Sequence, residues 1–171
     1  MAARTICLEA HPVLRAQARP IERFGKPLTG LVRDMIDTMY ARDGIGLAAP
    51  QIGESVQLFV ACPSQERGRE VVLANPVLES AGGRSITVEG CLSLPNIWEK
   101  VRRPSRVRLR AQNTNGDSVS LEAEGLMAIV IQHELDHLQG RLFIDRLPWF
   151  RRRRAFARVR GASWFRRPAA A

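Results

Sequence analysis

The segment LMAIVIQHELDHLQ, residues 126–139, decides how the rest of the chain is interpreted. Its apolar residues recur at the spacing of a helix and share one face with His133 and His137. Histidines four residues apart lie on the same side of a helix, so both imidazoles can reach one metal ion. The segment therefore predicts a buried helix that carries two metal ligands.

Glu134 follows the first of these histidines and supplies the second kind of chemistry. Its carboxylate is placed to take a proton from a water molecule that a metal ion activates. A catalytic metal of this kind usually has three protein ligands and one open position. The motif therefore indicates a metallohydrolase whose third ligand lies elsewhere in the chain.

The third ligand is found by elimination. No glutamate follows Glu134, and the position where one class of metalloprotease has a third histidine is occupied by Phe143. The remaining histidine, His11, precedes a proline and is interpreted as a turn residue. Cys91 follows Gly90 at the end of a strand-like run, where a thiolate could point into a cleft. Two histidines and one cysteine form an accepted tetrahedral ligand set.

The alternative for Cys91 is a purely structural role. Buried cysteines commonly behave as small apolar residues, and Cys7 and Cys62 are interpreted in this way because they lie within or beside apolar stretches. We prefer the ligand role for Cys91 because the two-histidine helix has no other candidate.

Three separated segments together resemble the peptide deformylase family: GIGLAAPQ at residues 44–51, EGCLS at 89–93 and HELDH at 133–137. They occur in the family's order, and the similarity runs from about His11 to Leu147. The resemblance implies that the chain removes the formyl group from the N-terminal formylmethionine of nascent polypeptides and releases formate.

The resemblance also implies roles for eight residues. The metal ligands would be Cys91, His133 and His137. The catalytic groups would be Glu134 as general base and acid, with the Gln51 amide and the Leu92 backbone N–H as donors to the oxyanion. The substrate backbone would pair with Ile45 and Gly46. Ferrous iron is the expected metal, and zinc, nickel or cobalt could replace it in a purified sample.

Three further residues near these motifs have two interpretations each. Glu89 could support the site or pair with an arginine, and we favour the second. Asp136 could hold a ligand histidine or make an ordinary structural contact. The segment 96–104 departs from the family's pattern, so Trp98 could wall the lip of the cleft or be a surface aromatic.

The predicted fold class is α+β, with mostly antiparallel small β-sheets packed around the metal-binding helix and a C-terminal helix. A first helix is predicted over residues 31–42, with Thr29 as its N-cap. Strands are predicted over residues 56–61, 70–74, 76–79, 84–88, 107–111 and 118–123. The last two are joined by Asn115-Gly116, a typical hairpin turn.

The length of 171 residues suits one catalytic domain, residues 1–147, followed by a basic extension, residues 148–171, with a helix and a disordered tail. This extension either belongs to the same domain or is appended to it. The net charge is +9, and the arginines concentrate at 151–154, 158, 160, 166 and 167. Such a patch is typical of a nucleic-acid partner, and the resemblance suggests the ribosome. The alternative is a solvated arginine-rich face.

Neither a membrane span nor a secretion signal is apparent, and three scattered cysteines suit a reducing compartment, so a cytoplasmic location is expected.

Three rival functions are considered. A general metallopeptidase would also cleave unformylated peptides, and the missing downstream ligand weakens it. A nucleic-acid-binding protein without activity would explain the charge but leave the Cys, His and Glu motifs without a purpose. A homologue that acts on another acylated amine stays open because of the altered segment 96–104.

Overall fold

Two antiparallel sheets and three α-helices form the fold of residues 3–162, which are the residues that the computed structural model describes. The strands are β1 (Gly46–Ala48), β2 (Leu58–Ala61), β3 (Val71–Gly82), β4 (Ser85–Cys91), β5 (Leu94–Arg103), β6 (Arg106–Gln112) and β7 (Ser118–Glu124). The helices are α1 (Lys26–Ala41), α2 (Gly125–Leu138) and α3 (Trp149–Gly161). Three short 3-10 helices span Pro12–Arg15, Ala49–Ile52 and Phe143–Arg146. The predicted α+β class is confirmed.

The larger sheet has the strand order β1-β2-β3-β6-β7, and every neighbouring pair is antiparallel. Its centre is buried on both faces, as β2 illustrates. Phe59 and Ala61 pack with α2, whereas Leu58 and Val60 pack with α1. Because successive residues of a strand point to opposite faces, the two helices lie on opposite sides of this sheet.

The smaller sheet is the hairpin of β4 and β5. Its inner face packs Ile97 and Val101 against the 143–146 turn and against Ala155 and Val159 of α3. Helix α3 therefore packs on the hairpin whose first strand, β4, ends at Cys91.

Helix α2 is close to its predicted bounds of 126–139. Its end is fixed by Gly140, whose φ of +68° is a conformation that favours glycine. A Cβ at this position would also lie 2.6 Å from the carbonyl oxygen of Arg15. The end of α2 thus packs directly on the N-terminal segment.

Several predicted bounds were wrong. Helix α1 begins at Lys26, not at residue 31, because Pro27 fits a first helical turn and Thr29 bonds back to the Gly25 carbonyl inside that turn. The predicted strands 70–74 and 76–79 are one strand, β3, with a register shift after Ala74. No strand was predicted over the segment 96–104, which contains most of β5.

Two other predictions concern the termini and membranes. None of the helices formed by residues 3–162 has the length and apolar character that crossing a bilayer requires. Trp164, Arg166, Arg167 and the predicted disordered tail lie outside the described residues.

Candidate active site

One thiol and two imidazoles meet at the contact between α2 and the β4–β5 hairpin. The ligand atoms of Cys91, His133 and His137 all lie within 4.8 Å of one another. The Cys91 Sγ atom is 3.2 Å from Nε2 of His137. The hairpin tip brings the thiol to the helix face because Cys91 is the last residue of β4 and pairs with Leu94 of β5. These three donors fit a tetrahedral metal with one open position.

The two histidines have different surroundings. Nδ1 of His133 lies 2.9 Å from Oε2 of Glu89, so its Nε2 is the nitrogen left for a metal. The His133 ring also stacks on Phe143, with ring centroids 5.9 Å apart. Burial lowers the pKa of His137 well below its usual value, and the nearby His133 and Arg103 lower it further. His137 is thus held as the neutral imidazole that metals bind.

A chain of buried charges supports His133 from behind. Arg103 is 3% exposed and makes two bonds to Glu89, of 2.6 and 2.9 Å. Its remaining nitrogen lies 2.9 Å from Asp136, which also binds Arg146. Burial raises the pKa of Glu89, but the bonds from His133 and Arg103 outweigh this and hold the pKa below its usual range.

These contacts decide between the alternative roles considered for Glu89 and Asp136. Glu89 does both things that were considered, since it pairs with an arginine and contacts His133. Asp136 makes structural contacts to Arg103 and Arg146 rather than to a histidine.

Arg103 is a residue of the site that sequence reasoning missed. Its neighbour Arg102 is exposed, and the two look alike in a basic chain. The strand alternation that buries both Val101 and Arg103 is the signal that could have found it.

Glu134 lies at the base of the site, beside the three candidate metal ligands. The residue is 3% exposed, and its Oε2 atom has no hydrogen-bond partner among the described residues. Burial raises the pKa of Glu134 to about 7. A carboxylate with that pKa can both accept and return a proton near neutral pH.

Gln51 is held by a bond of its own side chain to the backbone. Its Oε1 atom accepts from the Ala48 N–H at 2.9 Å. Its Nε2 atom therefore points the other way, 3.5 Å from Cys91 Sγ and 3.4 Å from Ser93 Oγ. The buried amide presents its N–H groups next to the thiol.

A cleft of about 810 Å³ opens above these residues. Its lining comes from the segment Gly44–Gly46, which leads into β1, and from the β4–β5 hairpin. Leu92 also lines the cleft, and so does Trp98, which forms part of the lip while its side chain stays largely exposed to solvent. A Cβ at Gly46 would overlap the Glu134 carboxylate and lie 2.7 Å from Val130 Cγ1. Gly46 therefore makes room for Glu134 in addition to any role toward a ligand.

The structure thus brings the eight predicted site residues into one region. Seven of them line the cleft: Ile45, Gly46, Gln51, Cys91, Leu92, His133 and Glu134. The eighth, His137, is buried behind the thiol that it contacts.

Known proteins share both the sequence and the fold. The family model described as polypeptide deformylase matches residues 3–153. The chain belongs to the polypeptide deformylase family.

Individual relatives agree with this assignment. The peptide deformylase of Parafrankia sp. (strain EAN1pec) is 44% identical over 98% of this chain and 91% of its own length. That of Phenylobacterium zucineum (strain HLK1) is 41% identical over 94% of this chain and 96% of its own length. The solved peptide deformylase of Thermus thermophilus has a TM-score of 0.88 and 45% identity, covering 94% of this chain and 95% of that one.

The family assignment confirms the predicted activity. The chain is a hydrolase of protein biosynthesis that removes the formyl group from the N-terminal formylmethionine of polypeptides. The cluster of Cys91, His133 and His137 fits the metal that a deformylase requires.

Proposed function

We propose that Cys91, His133 and His137 bind one divalent metal ion, and that Glu134 moves the protons of deformylation at that ion. The observation that carries this proposal is the position of the thiol and two imidazoles, within 4.8 Å of one another, beside a buried carboxylate oxygen that lacks a partner among the described residues.

Ferrous iron is the metal we propose. When bound, the metal would lower the pKa of a water molecule and polarise the formyl oxygen. Intrinsic affinity favours zinc over ferrous iron at a site of nitrogen and sulfur donors, so metal supply in the cell decides between them. Because a thiolate would lie next to an oxidisable ion, loss of activity in air is an expected property.

Glu134 acts as base and then as acid. Its free oxygen takes one proton from the attacking water, whose oxygen forms a bond to the formyl carbon. The bond between that carbon and the methionine nitrogen then breaks, and Glu134 returns the proton to the leaving amine. Formate and a free N-terminal amine are the products.

Gln51 and Leu92 stabilise the negative charge that develops on the formyl oxygen. The Gln51 amide is fixed by its bond to Ala48, so its N–H groups need little reorganisation during the reaction. The backbone N–H of Leu92 is the second donor in this proposal. A neutral amide suits the task because it donates without competing for the metal.

Ile45 and Gly46 bind the substrate backbone as an added strand. β1 is the first strand of the sheet, and among the described residues no strand pairs with its outer edge. An extended peptide could pair with this edge and present its formyl group to the floor of the cleft.

The decisive test is anaerobic purification, elemental analysis and a formate-release assay on one sample. We expect one metal ion per chain and formate release from formyl-Met-Ala-Ser. The unformylated peptide should remain uncleaved, which separates a deformylase from a general peptidase. Cys91→Ser should lower the metal content or change the metal, whereas Cys7→Ser, a matched partly buried cysteine, should not. Unchanged metal content in Cys91→Ser would contradict the ligand role.

We further propose that residues 1–147 form the catalytic domain and that the basic extension, residues 148–171, docks on ribosomal RNA where nascent chains emerge in the cytoplasm. Exposed arginines on α3 support this partner, since Arg153, Arg154 and Arg160 face solvent. Such contacts would concentrate the enzyme near its formylmethionyl substrates.

A further inference from the structure

The outer face of the β4–β5 hairpin carries an unusual set of exposed side chains. Along β4 the exposed residues are Ile86 and Val88, and along β5 they include Trp98, Lys100 and Arg102 after Asn96 at the hairpin tip. Ile86 pairs with Arg102, and Val88 pairs with Lys100. Directly opposite residues of an antiparallel pair point to the same side, and Trp98 shares the side of Lys100 and Arg102 by alternation along β5, so Ile86, Val88, Trp98, Lys100 and Arg102 form one surface. We name it the hairpin face.

The hairpin face is both apolar and positively charged. Ile86, Val88 and Trp98 are 61, 55 and 62% exposed. Contiguous apolar residues at the surface commonly mark a binding site. Glu99 does not neutralise the two cationic residues, because it lies on the inner face, where Arg151 and Arg158 bind it. The face therefore offers apolar contact area next to two exposed cationic side chains, Lys100 and Arg102.

This surface is continuous with the active cleft. Val88 and Trp98 line the cleft, as does Gly90 between β4 and the metal-ligand position. The Trp98 ring lies against Gly90, since a Cβ there would be 2.5 to 2.8 Å from three atoms of the ring. Gly90 immediately precedes Cys91, so the indole of Trp98 lies next to the candidate metal centre.

The length of the face matches a short peptide. From Gly90 to Ile86 the strand advances four residues, which is roughly 14 Å at about 3.4 Å per residue. An extended peptide that leaves the metal centre along this strand would pass Trp98, then Val88 and Lys100, and then Ile86 and Arg102. Two to four residues of the peptide would contact the face.

We propose that the hairpin face is a secondary substrate surface that contacts the second to fourth residues of the formylated peptide and favours apolar and acidic side chains there. The proposal rests on the proposed function, because it takes the formyl group to be held at Cys91, His133 and His137. Trp98 and Val88 supply the apolar selection. Lys100 and Arg102 supply the preference for negative charge.

The test compares formyl-Met-Ala-Ala-Ala with peptides that carry Phe, Glu or Lys at position two, three or four. We expect the wild-type protein to prefer Phe over Ala, and Glu over Lys, by fivefold or more in kcat/KM at one of these positions at least. Trp98→Ala should abolish the Phe preference, and Trp98→Phe should retain it. The double variant Lys100→Glu, Arg102→Glu should reverse the preference between Glu and Lys.

Matched variants separate this surface from general effects. Trp149→Ala removes another exposed tryptophan, one that does not line the cleft, and it should keep the Phe preference. Arg23→Glu, Arg33→Glu changes the net charge by the same amount at exposed positions away from the cleft, and it should keep the Glu preference.

Two different failures are distinguishable. If the wild-type protein released no formate from any of the peptides, the proposed function itself would be wrong. If it released formate with equal kcat/KM from all of them, the hairpin face would have no selective role. The same conclusion follows if the hairpin variants kept the wild-type preferences or if the matched variants changed them equally.

Discussion

At the scale of single residues, the buried carboxylate of Glu134 is the group with the most specific expectation. Glu134→Ala should reduce formate release by about a hundredfold or more, because positioned acid and base groups contribute roughly that factor. The metal content should stay unchanged, since the ligand atoms belong to Cys91, His133 and His137. Glu22→Ala, at an exposed glutamate, is the control. Turnover near the wild-type rate in Glu134→Ala would refute the role.

Gly46 tests how closely Glu134 is fitted into the site. In Gly46→Ala the new methyl group would overlap the Glu134 carboxylate and press on Val130. Displacing a catalytic group by about 1 Å can cost roughly a hundredfold in rate, so we expect a loss of that order in kcat. Gly30→Ala is a matched change in open space on α1 and should leave kcat unaltered. Equal kcat values for the two variants would show that Glu134 tolerates displacement.

The sequence predicted the site residues that belong to short motifs. His133 and His137 follow from helical spacing, and Cys91 follows because the chain has few other possible ligands. Arg103 could not be found in this way. Its role depends on a strand pairing that turns it toward Glu89 and Asp136, residues 14 and 33 positions away. Alternation along β5 could indicate that Arg103 is buried, but its distant partners are set by the fold and leave no local pattern.

At the scale of elements, the link between the hairpin and α2 depends on Arg103. Arg103→Leu would leave Glu89 and Asp136 buried without their shared cation, and removing one partner of a buried pair typically costs about 3–5 kcal/mol. Arg108→Leu breaks an exposed pair with Glu122 and should cost about 1 kcal/mol or less. Urea unfolding of both variants measures the difference in free energy of unfolding. Equal losses would mean that the buried chain adds nothing beyond a surface pair.

The elements that the sequence predicted well are those whose pattern is local. Helix α2 and the β6–β7 hairpin lie within a residue or so of their predicted bounds, because helical periodicity and the Asn-Gly turn depend only on residues close together in the chain. Strand β5 was missed because Glu99 and Arg103 point inward, so charged residues occupy both of its faces and obscure the alternation. A strand that buries charge resembles a polar loop in its sequence.

At the scale of the whole molecule, the net charge is +9, and the arginines that contribute to it differ in their roles. Some form salt bridges that hold the fold together, and others are exposed to solvent. On α3, Arg151 and Arg158 bind Glu99, and Arg152 binds Asp145. These arginines attach the helix to the catalytic fold. Because Ala155 and Val159 of α3 are fully buried, deleting the helix would also expose part of the core. A test of the basic surface must therefore change charge and keep the helix.

The exposed arginines of α3 allow such a test. Arg153→Glu, Arg154→Glu should weaken cosedimentation with ribosomes at low salt by tenfold or more, since each lost phosphate contact removes part of a favourable counterion release. The dependence of binding on salt concentration should also become shallower. Arg23→Glu, Arg33→Glu changes the net charge equally at other exposed positions, and its ribosome binding should stay close to that of the wild-type protein. Equal weakening in both variants would assign the attraction to total charge, and α3 would then be a packed element with a solvated basic face.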